Sequence, residues 1–169
     1  SVMDAGCLHE ARNGALWFGA VHSYHSPGVY RFDGGVVRRL GLREGLPSDQ
    51  VFSVAETSDG DLWFATLKGL SRFNGTTLVN YTTEDGLAHE RIRDIFVDED
   101  DVLWLATNSD VTRFDPNGFH GFTKQDGFRN GGGDTPNVFA LEPDDEEGFW
   151  IMTEWGGVYR LNHQRRQPT

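Results

Sequence analysis

One apolar pattern recurs four times along this chain of 169 residues, and it limits the possible folds more than any other feature. The pattern centres on a tryptophan, and successive copies of that tryptophan are 46, 41 and 46 residues apart. The four are Trp17, Trp63, Trp104 and Trp150. An apolar residue also lies twelve positions and nine positions before each of them. Self-similarity at such a period is typical of repeat architectures, so the sequence predicts about four copies of one supersecondary unit.

The second copy shows most clearly what the unit is. Short apolar segments at 51–55, 62–66, 70–73 and 77–81 have the length and composition of β-strands. The pairs Asp59-Gly60 and Asn74-Gly75 between them favour tight turns. No helical periodicity is present, and four short antiparallel strands in about 41 residues are typical of a propeller blade. The recurring tryptophan is expected to fill the wedge between adjacent blades, where its indole N–H needs an acceptor.

These segments resemble the two-component regulator propeller repeat. The resemblance is carried by Gly45-Leu46-Pro47, by the segment 59–66 around Leu62-Trp63, and by Gly69-Leu70-Ser71-Arg72-Phe73. It implies an all-β propeller of the kind found in extracytoplasmic, often periplasmic, sensor regions of bacterial signalling proteins. Proteins of that family often have six or seven blades in a ring, whereas this chain carries only four repeats and no kinase or DNA-binding segment.

The predicted architecture is therefore one β-propeller domain, or half of a propeller, over residues 1–169. Its blades are expected at about 1–46, 47–87, 88–133 and 134–169, each with four strands, except that the last lacks a clear outer strand. Three arrangements are open: a small closed ring, a pair of chains that completes a larger ring, or a part of a longer propeller. We favour the homodimer, because bare blade faces rich in tryptophan promote association.

Composition limits the classes of partner that the chain can bind. The formal net charge of −11, from 15 Lys and Arg against 26 Asp and Glu, repels phosphate backbones, so no nucleic acid partner is expected. No apolar run reaches the roughly 18 residues that cross a bilayer. No sequence motif indicates a cofactor. A small molecule, a glycan or a protein remains an open choice of ligand.

The copies differ most in two loops that are five residues longer than their counterparts, 21–28 and 129–137. Both are expected on the blade face that usually carries ligands, together with the loop 154–156. Candidate ligand-binding residues on this face are His22, Tyr24, His25, Lys68, Asp110, Asn130, Asp134, Glu154 and Trp155. The two histidines with Asp134 are also compatible with a metal site, but their spacing is not a tight motif and no metal site is predicted. Trp155 beside Glu154 suits stacking on a sugar or capture of a cation.

No nucleophile elbow, phosphate loop or paired-cysteine zinc site is visible in the sequence. The leading hypothesis is a noncatalytic, sensor-type propeller module that binds a ligand or partner on this face. A propeller enzyme of lyase or hydrolase type, using loop histidines and acidic residues, is the alternative. A structural assembly module is the third hypothesis.

Overall fold

The computed structural model describes residues 5–20, 27–122, 137–144, 148–154 and 157–162, and everything stated below concerns these residues. They form three four-stranded antiparallel sheets and one three-stranded sheet, each with its strands side by side in chain order. The strands are β1 Ala5–Glu10, β2 Leu16–Ala20, β3 Gly28–Asp33, β4 Val36–Leu40, β5 Val51–Glu56, β6 Leu62–Thr66, β7 Gly69–Phe73, β8 Leu78–Tyr81, β9 Ile92–Val97, β10 Leu103–Thr107, β11 Val111–Asp115, β12 Gly118–Phe122, β13 Val138–Pro143, β14 Gly148–Thr153 and β15 Gly157–Asn162. The predicted all-β blades are confirmed, including a fourth blade with three strands in its described part.

The four sheets, blades 1 to 4, pack face to face, and their innermost strands β1, β5, β9 and β13 lie beside one another. Three hydrophobic cores result, one in each seam between successive blades. The second strands of blades 2 and 3, β6 and β10, are buried on both faces because each supplies side chains to two seams, which explains why their sequences are continuously apolar. The links that leave blades 1 and 2 each contain one turn of 3-10 helix, Leu42–Glu44 and Thr83–Asp85.

Three of the repeated tryptophans fill these seams, as predicted. The Trp17 ring lies 5.7 Å from Phe64 of blade 2. The Trp63 ring lies 5.6 Å from Phe114 of blade 3, and the Trp104 ring lies 4.6 Å from Phe149 of blade 4. All three side chains are buried. Each tryptophan therefore joins its own blade to the next one along the chain.

The predicted acceptor for the indole N–H is present in two blades and missing in the first. The Trp63 Nε1–H donates to Thr57 Oγ1 at 3.2 Å, and the Trp104 Nε1–H donates to Asp98 Oδ2 at 2.9 Å. Thr57 and Asp98 both stand six positions before their tryptophan. Ala11 occupies that position in blade 1, and the Trp17 Nε1 is buried without a partner among the described residues. A buried donor left unpaired destabilises the fold.

We expect Ala11→Thr to raise the free energy of unfolding by about 1 kcal/mol, because the new hydroxyl gives Trp17 the acceptor that Thr57 gives Trp63. Urea denaturation followed by circular dichroism measures the change. The converse substitution is Thr57→Ala, which removes the Trp63 acceptor in blade 2 together with the hydroxyl's bond to Asp59, and it should lower stability by at least as much. Equal stability of all three proteins would contradict this account.

The two ends of the fan of blades are uncovered. Leu8 of blade 1 is 70% exposed, whereas its counterparts Val54, Ile95 and Leu141 are buried by the preceding blade. At the other end Trp150 is 42% exposed, because no described sheet packs against the far side of blade 4. The four sheets therefore form an arc that is open in the described residues.

Candidate functional site

Strand order fixes which connections share a face of the propeller. In an antiparallel blade, the connection between second and third strands and the link to the next blade emerge at the same end. We call this end the loop face. Backbone hydrogen bonds join these two kinds of connection: the N–H groups of Leu67, Asn108 and Glu154 donate to the carbonyls of Gln50, Arg91 and Asn137. The loop face is thus bonded together in blades 2, 3 and 4.

Three of the nine predicted site residues lie in the described part of the chain, and all three are on the loop face. Lys68 and Glu154 are exposed. The Glu154 carboxylate accepts a hydrogen bond of 2.6 Å from the Asn137 side-chain amide. The other six lie outside the described residues: His22, Tyr24, His25, Asn130, Asp134 and Trp155.

Asp110 is on this face but points inward. It is 4% exposed, and its carboxylate accepts hydrogen bonds from the Thr107 and Thr112 hydroxyls at 2.8 and 3.0 Å. Burial raises the pKa of Asp110, and these hydroxyl hydrogen bonds partly oppose the shift. Asp110 stands where blade 2 has Gly69, and its carboxylate uses space left by Gly121, where a Cβ would lie 2.9 Å from Asp110 Oδ2. In this conformation the Asp110 carboxylate bonds only to hydroxyls of its own blade within the described part of the chain. Among the three described residues of the predicted site, Lys68 and Glu154 carry the accessible charges.

The structure adds a group of residues that the sequence interpretation did not select. Each innermost strand carries a β-bulge near its start, at the loop-face end. The inserted residues occupy the same position in the four blades: Gly6, Phe52, Arg93 and Phe139. Bulges re-aim side chains and often lie next to binding sites. Because the innermost strands are neighbours, these residues form a row, which we call the bulge row.

The polar side chains of Arg91 and Asn108 border the bulge row. The Arg91 guanidinium lies 5.8 Å from the centre of the Phe52 ring, and Arg91 Nε is buried with no partner among the described residues. The Arg93 Nε–H donates to the Asn108 side-chain oxygen at 3.3 Å. Phe139 remains 45% exposed. The loop face therefore offers aromatic surface, two guanidinium groups and side-chain amides near the centre of the arc. The residue type at this position, eleven before each repeated tryptophan, varies among the blades, so the apolar pattern of the sequence does not reveal the row.

Asp94 holds three blades together near the innermost strands. Its Oδ1 accepts a hydrogen bond of 2.9 Å from the Ser53 hydroxyl of blade 2, and its Oδ2 accepts one of 3.0 Å from the Leu141 N–H of blade 4. Burial raises the pKa of Asp94. Cys7 occupies the equivalent position of blade 1. Burial is the main cause that raises the pKa of its thiol to about 11, and a thiol that stays protonated is a poor nucleophile. This cluster is a structural junction between blades.

His9 and Glu56 meet in the seam between blades 1 and 2. His9 Nε2 lies 3.5 Å from Glu56 Oε2, and the Glu56 carboxylate also accepts the Arg12 backbone N–H at 2.8 Å. Among the described residues, no group of three or more His, Cys, Asp or Glu side chains is placed to hold a metal ion. None of the helices in the described part of the chain is long and apolar enough to cross a membrane.

Four sheets that pack successively around adjacent innermost strands, with tryptophans in the seams, define a β-propeller fold. The two component regulator propeller family model matches two segments of the chain, residues 45–68 and 86–109. The resemblance found in the sequence is confirmed for these two segments. No curated protein matches the chain.

Solved structures support the same fold. The extracellular domain of a hybrid two component system from B. thetaiotaomicron has a TM-score of 0.77 at 18% identity, over 92% of this chain and 21% of that one. Virginiamycin B lyase from Staphylococcus aureus has a TM-score of 0.65 at 16% identity, over 94% of this chain and 55% of the lyase. The computationally designed Ika4 protein has a TM-score of 0.63 at 12% identity, over 96% of this chain and 92% of Ika4. The chain thus spans about a fifth of the sensor domain and about half of the lyase.

Proposed function

We propose that this chain is a noncatalytic, ligand-binding propeller module of a sensor protein, and that it works outside the cytoplasm. The main support is the bulge row on the loop face. Its exposed and half-buried aromatic rings lie beside Arg91, Arg93 and Asn108. Similarity of fold to the extracellular domain of a two component system agrees with this role.

A neutral, polyhydroxylated ligand such as an oligosaccharide fits this chemistry best. Aromatic rings stack on the apolar faces of sugar rings, while guanidinium and amide groups bond to hydroxyls. Lys68 and the Glu154–Asn137 pair stand on the same face and extend the polar border. The predicted residues outside the described ranges belong to the same proposed site. The lyase or hydrolase alternative stays a hypothesis, because its loop histidines are among those residues.

Binding is tested by calorimetric titration with maltohexaose, xylohexaose and arabinohexaose. We expect saturable binding of at least one of them. Phe139→Ala should then weaken it about threefold to tenfold, since an aromatic contact contributes about 0.5–1.5 kcal/mol. Phe32→Ala removes a similarly exposed ring from blade 1, away from the loop face, and is the matched control. Binding that is unchanged by Phe139→Ala, or lost equally in both variants, would contradict the proposed site.

We also propose that a second copy of the chain covers the open ends of the arc. The exposed Trp150 of one copy would enter the uncovered face of blade 1 of the other, where Leu8 is exposed. The three existing seams have this same pattern, a tryptophan against apolar residues of the next blade. Two such contacts in a pair of chains would close a ring of eight blades.

A further inference from the structure

The seam between blades 1 and 2 differs in charge from the seam between blades 2 and 3. A row of paired residues crosses blade 1 from β1 to β4 in register: His9, Trp17, Arg31 and Arg38. The corresponding row in blade 2 is Ala55, Trp63, Arg72 and Val79. Blade 1 therefore places an additional arginine at the outer end of its seam.

Fewer carboxylates neutralise the repeated arginine in blade 1 than in blade 2. In blade 2 the Arg72 guanidinium pairs with both Asp59 and Asp61 of the first turn. The first turn of blade 1 has Asn13 and Ala15 at those positions. Arg31 pairs instead with Asp33 of its own strand at 2.5 Å, and Arg38 has no hydrogen bond or ion pair with any described residue. Two carboxylates face one guanidinium in blade 2, whereas one carboxylate faces two guanidiniums in blade 1.

A cleft of about 330 Å³ lies beside these arginines. Its apolar wall is formed by Trp17, Leu40, Leu62 and Phe73. Its rim contains Asn13 and Asn74 from turns of the two blades.

Both rim amides present donors. The Asn13 side-chain oxygen accepts the Ala15 N–H at 3.0 Å, and that of Asn74 accepts the Thr77 N–H at 2.7 Å. Their amide N–H groups make no hydrogen bond to a described residue. The polar border of the cleft therefore consists mainly of hydrogen-bond donors, and its wall is apolar.

We propose that this cleft binds a small organic anion, a carboxylate attached to an aromatic or other apolar group. The carboxylate would bond to Arg38 and Arg31, because a planar guanidinium matches the geometry of a carboxylate. The apolar group would lie against Leu62 and Phe73. The cleft lies at the end of the blades opposite the loop face, because the first turns and the third-to-fourth turns line it. This site is thus independent of the sugar site proposed above.

Fluorine NMR titration with 4-fluorobenzoate tests the site on the 169-residue chain, with 4-fluorobenzamide as the uncharged analogue. We expect saturable binding of the benzoate and at least tenfold weaker binding of the amide. Arg38→Gln should weaken benzoate binding at least tenfold, because it removes a charge-assisted contact without burying anything new. Arg43→Gln, at an exposed arginine outside the cleft, should leave binding unchanged.

Ala15→Asp gives a second, opposite test. It places a carboxylate where Asp61 neutralises Arg72 in blade 2, so the protein's own acid should occupy Arg31 and reduce benzoate binding at least tenfold. Circular dichroism establishes that each variant is folded. Absence of saturable benzoate binding up to 10 mM, equal binding of the amide, or unchanged binding by Arg38→Gln would each overturn the proposal.

Discussion

Replacing Trp63 with alanine should lower the free energy of unfolding by about 3–5 kcal/mol, the cost of removing a large aromatic side chain from a packed core. The Trp63 indole is 3% exposed and fills the seam between blades 2 and 3. It contacts the Tyr81 ring of its own blade and the Phe114 ring of the next one at centroid distances of 6.0 and 5.6 Å. Its loss also leaves Thr57 without the indole N–H. Urea denaturation followed by far-ultraviolet circular dichroism measures the effect.

Trp150→Ala is the matched control, since the chain repeats the same residue at the same position of another blade. Trp150 is 42% exposed and lacks a following blade among the described residues. In the isolated monomer its replacement should therefore cost about 1 kcal/mol or less, as for most surface substitutions. Equal costs for Trp63→Ala and Trp150→Ala would show that the seams do not hold the fold together.

The same substitution reports on the proposed second copy. If Trp150 enters the open face of blade 1 in a partner, Trp150→Ala and Leu8→Asp should each shift the mass measured by light scattering from two chains to one. Leu42→Asp changes an exposed apolar residue in a link between blades and should leave the mass unchanged. A native protein that has the mass of one chain at all concentrations would rule out the homodimer.

The blades were predictable from the sequence because packing repeats. Every blade must present an indole at one position and aliphatic residues at two others, so the pattern survives in the residue order. The bulge row was missed because it depends on a one-residue shift in strand pairing, and single-residue insertions leave no mark on an apolar pattern. Asp110 was interpreted as part of a polar rim because its neighbours are polar. Its burial depends on Gly121, a residue of another strand that leaves room for the carboxylate.

Seams 1–2 and 2–3 differ in charge because equivalent positions of blades 1 and 2 carry different residues. Arg31, Arg72, Arg113 and Arg160 recur at one position of the repeat, and each pairs with an acidic residue of its own blade. The informative departures are Ala11, Asn13 and Ala15 in the first turn of blade 1, where blade 2 carries Thr57, Asp59 and Asp61. These small changes leave the Trp17 indole without an acceptor among the described residues and leave Arg31 with one carboxylate, whereas Arg72 has two.

Asp94→Ala should lower the free energy of unfolding by about 2–4 kcal/mol at neutral pH, because the substitution leaves buried donors unpaired at about 1–3 kcal/mol each. The carboxylate accepts hydrogen bonds from the Leu141 N–H of blade 4, the Ser53 hydroxyl of blade 2 and the adjacent Ile95 N–H. No other described residue is bonded through its side chain to the innermost strands on both sides. Urea denaturation at pH 7 measures the loss.

The stability difference between native protein and Asp94→Ala should also depend on pH. Burial raises the folded-state pKa of Asp94 above its ordinary value of 3.8, so the folded protein binds the proton more tightly than the unfolded chain. In the interval between those two pKa values, the contribution of Asp94 to stability therefore decreases as pH rises. Denaturation measured from pH 7 down to pH 4 should show the advantage of the native protein over the variant increasing on acidification.

Asp59 provides a control of opposite sign. The Thr57 hydroxyl and the Asp61 N–H bond to its carboxylate and hold the pKa of Asp59 below 3.8. The stability that this carboxylate contributes is present above the ordinary pKa and is lost as pH falls through the folded-state value. The advantage of the native protein over Asp59→Asn should thus shrink as the pH falls below 3.8, in denaturation extended below pH 4, whereas the advantage over Asp94→Ala grows between pH 7 and pH 4. If the stability advantage over both variants changed with pH in the same direction, the account of Asp94 would be wrong. That account holds that burial between three blades disfavours the ionised form of its carboxyl group.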